Sequence, residues 1–169
     1  MIRKLNFIFI IFIFLFVCLP VNKCLAQIRY SANAEYLIPL GELRNNYLPG
    51  KNAGLGIKYI INEQYDITFN TGYTYVPGKN VEDEYFVYNV QPIAGVPIGA
   101  GARFKPDNLF FIQASGGPVV ITKPESDFGM YFSGGAGIQY KIVEFQIQLM
   151  QWNKPEIANF AGFQLSFIF

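Results

Sequence analysis

From Gln27 onward, apolar and polar residues alternate with a period of two rather than 3.6, the pattern of half-buried β-strands. The clearest stretch is "YDITFNTGYTYV", where Tyr65, Ile67, Phe69, Tyr73 and Tyr75 alternate with Asp66, Thr68, Asn70, Gly72 and Thr74. Val143, Phe145, Ile147 and Leu149 alternate in the same way with Glu144, Gln146 and Gln148. Carried through the chain, the alternation predicts eight strands, at 28–38, 53–62, 65–76, 89–104, 109–121, 130–141, 143–152 and 160–169. Short turns are predicted at 62–64, 105–108 and around Ile142. Longer segments rich in Gly, Pro, Asn and charge fall at 39–52, 77–88, 122–129 and 153–159. Pro92 and Pro97 interrupt the fourth strand, because each removes a ladder donor. A bulge or an irregular end is expected there, with the strand starting as late as after Pro97.

Strict alternation of long and short connections fits an all-β, eight-stranded antiparallel up-and-down transmembrane β-barrel. Both strand ends of the chain would then lie on the short-turn, periplasmic side. A soluble β-sandwich or lipocalin-like barrel produces the same period with its apolar face turned inward. Periodicity alone leaves the two open.

Composition shifts the balance. The chain is 51% hydrophobic and 17% aromatic but only 15% charged, against roughly 25% charged in a typical soluble domain. Aromatic residues gather near strand ends, among them Tyr30, Tyr36, Tyr59, Tyr65, Phe104, Tyr131, Tyr140 and Trp152, as in an interfacial girdle. Trp152 is expected to be an interface anchor. On the polar side stand Arg29, Glu35, Lys58, Asp66, Arg103, Lys141 and Glu144. In a narrow barrel filled by its own side chains, these charges are expected to pair as a luminal network. Glycines in "GAGARF" and "GGAGIQY" read as close-packing positions inside strands.

The first 26 residues read as a cleaved secretory signal, with Arg3 and Lys4 ahead of an unbroken apolar run of 13 residues, Phe7 to Leu19. Cleavage before Gln27 would leave residues 27–169 as one barrel domain and remove both cysteines, Cys18 and Cys24. It would also remove Arg3, Lys4 and Lys23, so that 10 of the 13 basic residues face 12 acidic ones. A basic face for nucleic acid is not in view.

The chain contains no histidine. Ser-His-acid hydrolysis and nitrogen-ligated zinc therefore lack their central residue, and no catalytic residue or cofactor is expected. Glu82, Asp83 and Glu84 form an acidic triplet in a loop, which Glu125 and Asp127 could join as a divalent-cation site. A solvated acidic loop explains the triplet more simply, since calcium needs six or more oxygens.

The stretch "AEYLIPLGELRNNYLPGKNAGLGIKYIINEQYDITFNTGYTYVPGK" resembles the opening of the small outer membrane β-barrel family of Gram-negative bacteria. Ile38-Pro39-Leu40-Gly41, Tyr47, Gly54, Gly56, Tyr59, Asn62, Gly72, Tyr73 and Gly78 carry the likeness. The final strand, with Phe163, Leu165, Phe167 and Phe169 at every second position, is similar to the signal read by the barrel-assembly machinery. The resemblance implies an outer-membrane location, contact with membrane lipid, and a last strand that closes on the first. It leaves three functions open: a non-enzymatic structural or surface-interaction protein working through its outer loops, a narrow porin-like pore or hydrophobic-ligand conduit, and a soluble periplasmic binding barrel. Deleting Phe169 is expected to reduce outer-membrane insertion, measured as loss of the heat-modifiable band from membrane fractions. An undiminished band would contradict this.

Overall fold

The computed structural model describes residues 27–82, 87–154 and 157–169. The expected signal segment, 1–26, lies outside the described residues, as do Asp83 and Glu84 of the acidic triplet. Strands run over β1 (Ile28–Pro39), β2 (Gly50–Ile60), β3 (Tyr65–Val76), β4 (Asn80–Glu82), β5 (Val87–Asn89), β6 (Ile93–Phe104), β7 (Phe110–Lys123), β8 (Asp127–Tyr140), β9 (Val143–Trp152) and β10 (Ala158–Ile168). One short helix, α1 (Leu43–Asn46), sits in the loop after β1. Eight of the strands close into an antiparallel barrel in the order β1-β10-β9-β8-β7-β6-β3-β2, while β4 and β5 form a separate hairpin. No described helix is long and apolar enough to cross a membrane.

Closure is made by β1 and β10, paired from Ser31↔Ile168 to Pro39↔Phe160. Tyr30 and Phe169 extend the ladder by exchanging backbone hydrogen bonds of 3.1 and 2.9 Å. No barrel strand is left with an open edge, which is the condition for a sheet to sit in hydrocarbon.

The direction of each side chain settles what alternation left open. Along β9, Phe145, Ile147 and Leu149 are 56%, 61% and 63% exposed, whereas Glu144, Gln146 and Gln148 are 2%, 5% and 6% exposed. The same division holds around the barrel: Leu55, Phe69, Ile112 and Phe132 face outward, and Ser31, Thr68, Arg103 and Ser166 face inward. A belt of exposed Phe, Ile, Leu and Tyr around a polar interior is stable only against lipid chains. The barrel is transmembrane, and the soluble lipocalin-like alternative is overturned.

Four details differ from the sequence-based expectation. First, β6 begins at Ile93, not after Pro97, and Pro97 is accommodated opposite Val119. The ladder from β6 to β3 lapses there, between Thr71↔Ile98 and Thr74↔Gly95, which is where a missing donor is tolerated. The expected bulge is present: the register against β7 shifts between Ala94 and Gly95, leaving Thr122 as an extra residue. Second, the expected long segment 122–129 shrinks to residues 124–126, because β7 and β8 extend to meet it. Third, β2 starts at Gly50, which pairs with Leu37.

The fourth concerns the aromatics. Trp152 and Tyr131 are not interfacial; they are 0% and 4% exposed, inside the lumen. At the loop end of the barrel they join Leu37, Val76, Ile93, Val119, Ile121, Met150 and Phe160 in an apolar cluster. Trp152 and Phe160 meet edge to face, with ring centroids 6.1 Å apart. The indole N–H of Trp152 lies 3.1 Å from Met150 Sδ. Leu43 and Tyr47, at the helix α1 loop, close the cluster from above. Trp152→Ala should cost about 3–5 kcal/mol through the cavity it leaves. Urea unfolding of the barrel in lipid vesicles measures this, and an unchanged midpoint would mean that the cluster does not stabilise the loop end.

Candidate functional site

The lumen is the place where polar groups converge, and it is layered along the barrel axis. Near the short-turn end, Glu144 on β9 reaches across the interior to two cations. It is paired with Lys58 of β2 and with Arg103 of β6, whose Nη1 donates to Oε1 at 2.6 Å and Nη2 to Oε2 at 3.2 Å. Arg103 also donates from Nε and Nη2 to Gln113 Oε1 at 3.0 and 2.8 Å. Its guanidinium lies 3.8 Å from the centroid of the buried Phe111 ring, which supports it as a platform. Asp66 accepts from Lys105 Nζ at 2.8 Å.

The layer above is held by neutral amides. Glu35 Oε1 accepts from Gln148 Nε2 at 2.5 Å, and Oε2 accepts from Asn52 Nδ2 at 3.2 Å. Gln146 in turn donates to Gln148 at 3.2 Å. Ser115 and Ser133 share a hydroxyl hydrogen bond of 2.7 Å. A cavity of about 40 Å³ remains between these groups, lined by Asn33, Glu35, Asn70, Tyr131 and Gln148 among others. That is room for about three water molecules. Glycines make space for the large groups. A Cβ on Gly99 would fall on the Tyr131 hydroxyl, and one on Gly137 would fall on the Phe111 ring.

Of the seven charges read from the sequence as luminal, the structure buries Glu35, Lys58, Asp66, Arg103 and Glu144. Arg29 and Lys141 lie elsewhere. Arg29 has luminal parity but is the second residue of β1, exposed at the turn-end mouth. Lys141 is exposed in the two-residue turn between β8 and β9, at a φ of 54°, with its ammonium 5.4 Å from the Tyr140 ring. Lys105, which the sequence placed in a turn, reaches back into the barrel to Asp66. The signal for it was thin: a lysine two residues beyond a luminal arginine.

Phe163, Phe167 and Phe169 project outward from the β10 side of the seam, and Leu165 between them is half-buried. Among the described residues no group of three or more His, Cys, Asp or Glu side chains converges on a metal position. Asp127 is instead bound to Lys154, 3.0 Å away.

At the loop end, the first two loops are joined by backbone hydrogen bonds from Leu48 to Pro77 and from Lys79 to Asn46, of 2.9 and 2.8 Å. Lys79 Nζ also donates to the Arg44 carbonyl at 2.7 Å. Over the apolar cluster they leave an open groove of about 490 Å³, lined by Leu40, Leu43, Tyr47, Pro124 and Ile157 with Glu42 and Asn159.

The closed eight-stranded barrel has parallels among solved structures. The Yersinia pestis outer membrane protein Ail in a phospholipid bilayer nanodisc superposes with a TM-score of 0.59 at 9% identity, over 83% of this chain and 99% of that one. A de novo designed transmembrane β-barrel gives 0.55 at 9% identity, over 83% and 95%. Neisserial surface protein A gives 0.53 at 12% identity, over 85% and 97%. The fold is that of the small outer-membrane β-barrels. No protein-family model and no curated protein sequence matches the chain.

Removing the shared carboxylate isolates the effect of the luminal ion pairs. Glu144→Gln leaves Lys58 and Arg103 buried without their anion and should destabilise the barrel by about 3–5 kcal/mol. Denaturant titration followed by tryptophan fluorescence measures it. A loss below about 1 kcal/mol would mean that water already screens the cluster.

Proposed function

We propose that the protein is a non-enzymatic barrel of the bacterial outer membrane, with a structural or surface-interaction role carried by its loop end. In this reading residues 1–26 are a secretory signal removed on export. The row Phe163, Leu165, Phe167 and Phe169 is the strand read by the barrel-assembly machinery, and the loop end faces the cell exterior.

The observation that carries the reading is the double closure of the lumen. Trp152, Phe160 and their neighbours fill the loop end, and the Lys58–Glu144–Arg103 cluster crosses the turn end. A solute would have to break a buried ion triad and displace an aromatic cluster to pass, which speaks against a pore or conduit. Chemistry is disfavoured on other grounds, since the chain has no histidine and its buried carboxylates are engaged by cations or amides.

What stays available is the mouth. Leu40 and Ile157 are 37% and 66% exposed beside the groove, and the Leu40 amide donates to the Asn159 carbonyl at the start of β10 at 2.9 Å. A rigid rim with exposed apolar side chains suits contact with another macromolecule better than catalysis. Replacing Leu40 and Ile157 with Asp should leave the heat-modifiable barrel unchanged, because both side chains are exposed and lie outside the barrel strands. Planar-bilayer recordings on the intact protein should show no steady open-channel conductance. A stable conducting state would overturn the proposal in favour of a pore.

A further inference from the structure

The outward wall of a membrane barrel is expected to be free of charge. Among the described residues of the eight barrel strands, Glu35, Lys58, Asp66, Arg103 and Glu144 are buried in the lumen. Arg29 and Asp127 keep luminal parity but are exposed at the two ends of the barrel. The two charges on the outward side are Lys51 and Lys123. Lys51 shares the outward parity of the exposed Leu55 and Ile57 on β2. Lys123 would point inward with Val119 and Ile121, but the extra residue Thr122 reverses its side and sets it opposite Ala94 and thus beside Tyr75. Its ammonium lies 6.0 Å from the centroid of the Tyr75 ring.

Both lysines stand at the loop end and in one register row. Tyr36 pairs with Lys51, Lys51 with Tyr75, Tyr75 with Ala94, and Ala94 with Lys123. The two therefore sit three interstrand steps apart, a separation of about 14 Å between Cα atoms. Below Lys51, toward the middle of the barrel wall, lies an open groove of about 550 Å³. Its floor is the paired residues Ala34 and Ala53, and Tyr73 and Phe163 form its walls. The arrangement is a cationic head over an apolar trough. Charge on the lipid face is costly at the midplane and tolerated near the interface, where lysine reaches the headgroups.

We infer that this face binds a phosphorylated, multiply acylated glycolipid of the outer leaflet, with two headgroup phosphates on Lys51 and Lys123 and an acyl chain in the Ala34–Ala53 trough. Lysine serves phosphate as a mobile point charge, and two lysines spread over four strands suit a headgroup with two phosphates better than one. The inference rests on the proposed orientation, which puts the loop end in the outer leaflet.

The test uses protein made from the full chain and extracted from membranes in mild detergent, with bisphosphoryl lipid A as the probe in native mass spectrometry. The unmodified barrel should bind it with at least tenfold higher occupancy than the Lys51→Gln/Lys123→Gln variant. The Lys51→Arg/Lys123→Arg variant should retain binding, and Ala53→Phe, which fills the trough, should lower it. Heat-modifiable mobility identifies folded variants, and all of these changes lie on the outer surface. Equal occupancy in the Gln variant would overturn the site, as would equal competition by dephosphorylated lipid A. Equal competition by phosphatidylglycerol would overturn the assignment to the glycolipid. Orientation is read separately, by impermeant maleimide labelling of Lys79→Cys on intact cells. An unlabelled cysteine would refute the outward-facing loops without altering the occupancy that mass spectrometry reports.

Discussion

Everything in this molecule follows from the need to satisfy backbone hydrogen bonds where there is no water. An open sheet edge in hydrocarbon leaves a row of N–H and C=O groups unpaired, each at a cost of several kcal/mol. The β1–β10 ladder removes that edge. Once the sheet closes, every strand has one face toward lipid and one toward a lumen only wide enough for side chains. The side of each residue is then set by parity, and its chemistry by depth.

The lumen answers to that confinement in two ways. Toward the turn end it collects charge, and each buried carboxylate there has a cation within reach: Glu144 between Lys58 and Arg103, Asp66 beside Lys105. Toward the loop end it abandons polarity and fills with Trp152, Phe160, Leu37 and Ile121. An apolar cluster needs no partners and excludes water, so it can seal an opening that ion pairs alone would leave wet. The loops inherit this rigidity, because Leu43 and Tyr47 pack down on the same cluster.

The outer wall shows the complementary rule. It tolerates charge only where long side chains can reach the interface, and the Thr122 bulge brings a second lysine into line with the first. A single inserted residue thus changes what the surface can hold without disturbing the strands on either side. Pro97 stays inside a barrel strand by a different means, a local lapse of the β3–β6 pairing that leaves the register unchanged.

Much of this was legible in the chain. Period-two alternation fixed the strand count, and the spacing of turns gave the up-and-down order, because both are local consequences of pleat and chain reversal. Trp152 and Tyr131 were legible too, since each has the parity of the luminal residues beside it: Trp152 that of Gln146 and Gln148, Tyr131 that of Ser133. Residue type misled where parity would not have. Parity could not say which face meets lipid; only the closed sheet, with Leu149 outside and Gln148 within, decided that. Nor could it join Glu144 to Lys58, 86 residues away, because that contact exists only when strands from distant parts of the chain are brought across one narrow interior. The reversal of Lys123 belongs to the same class, being a property of how two ladders fit and not of either strand alone.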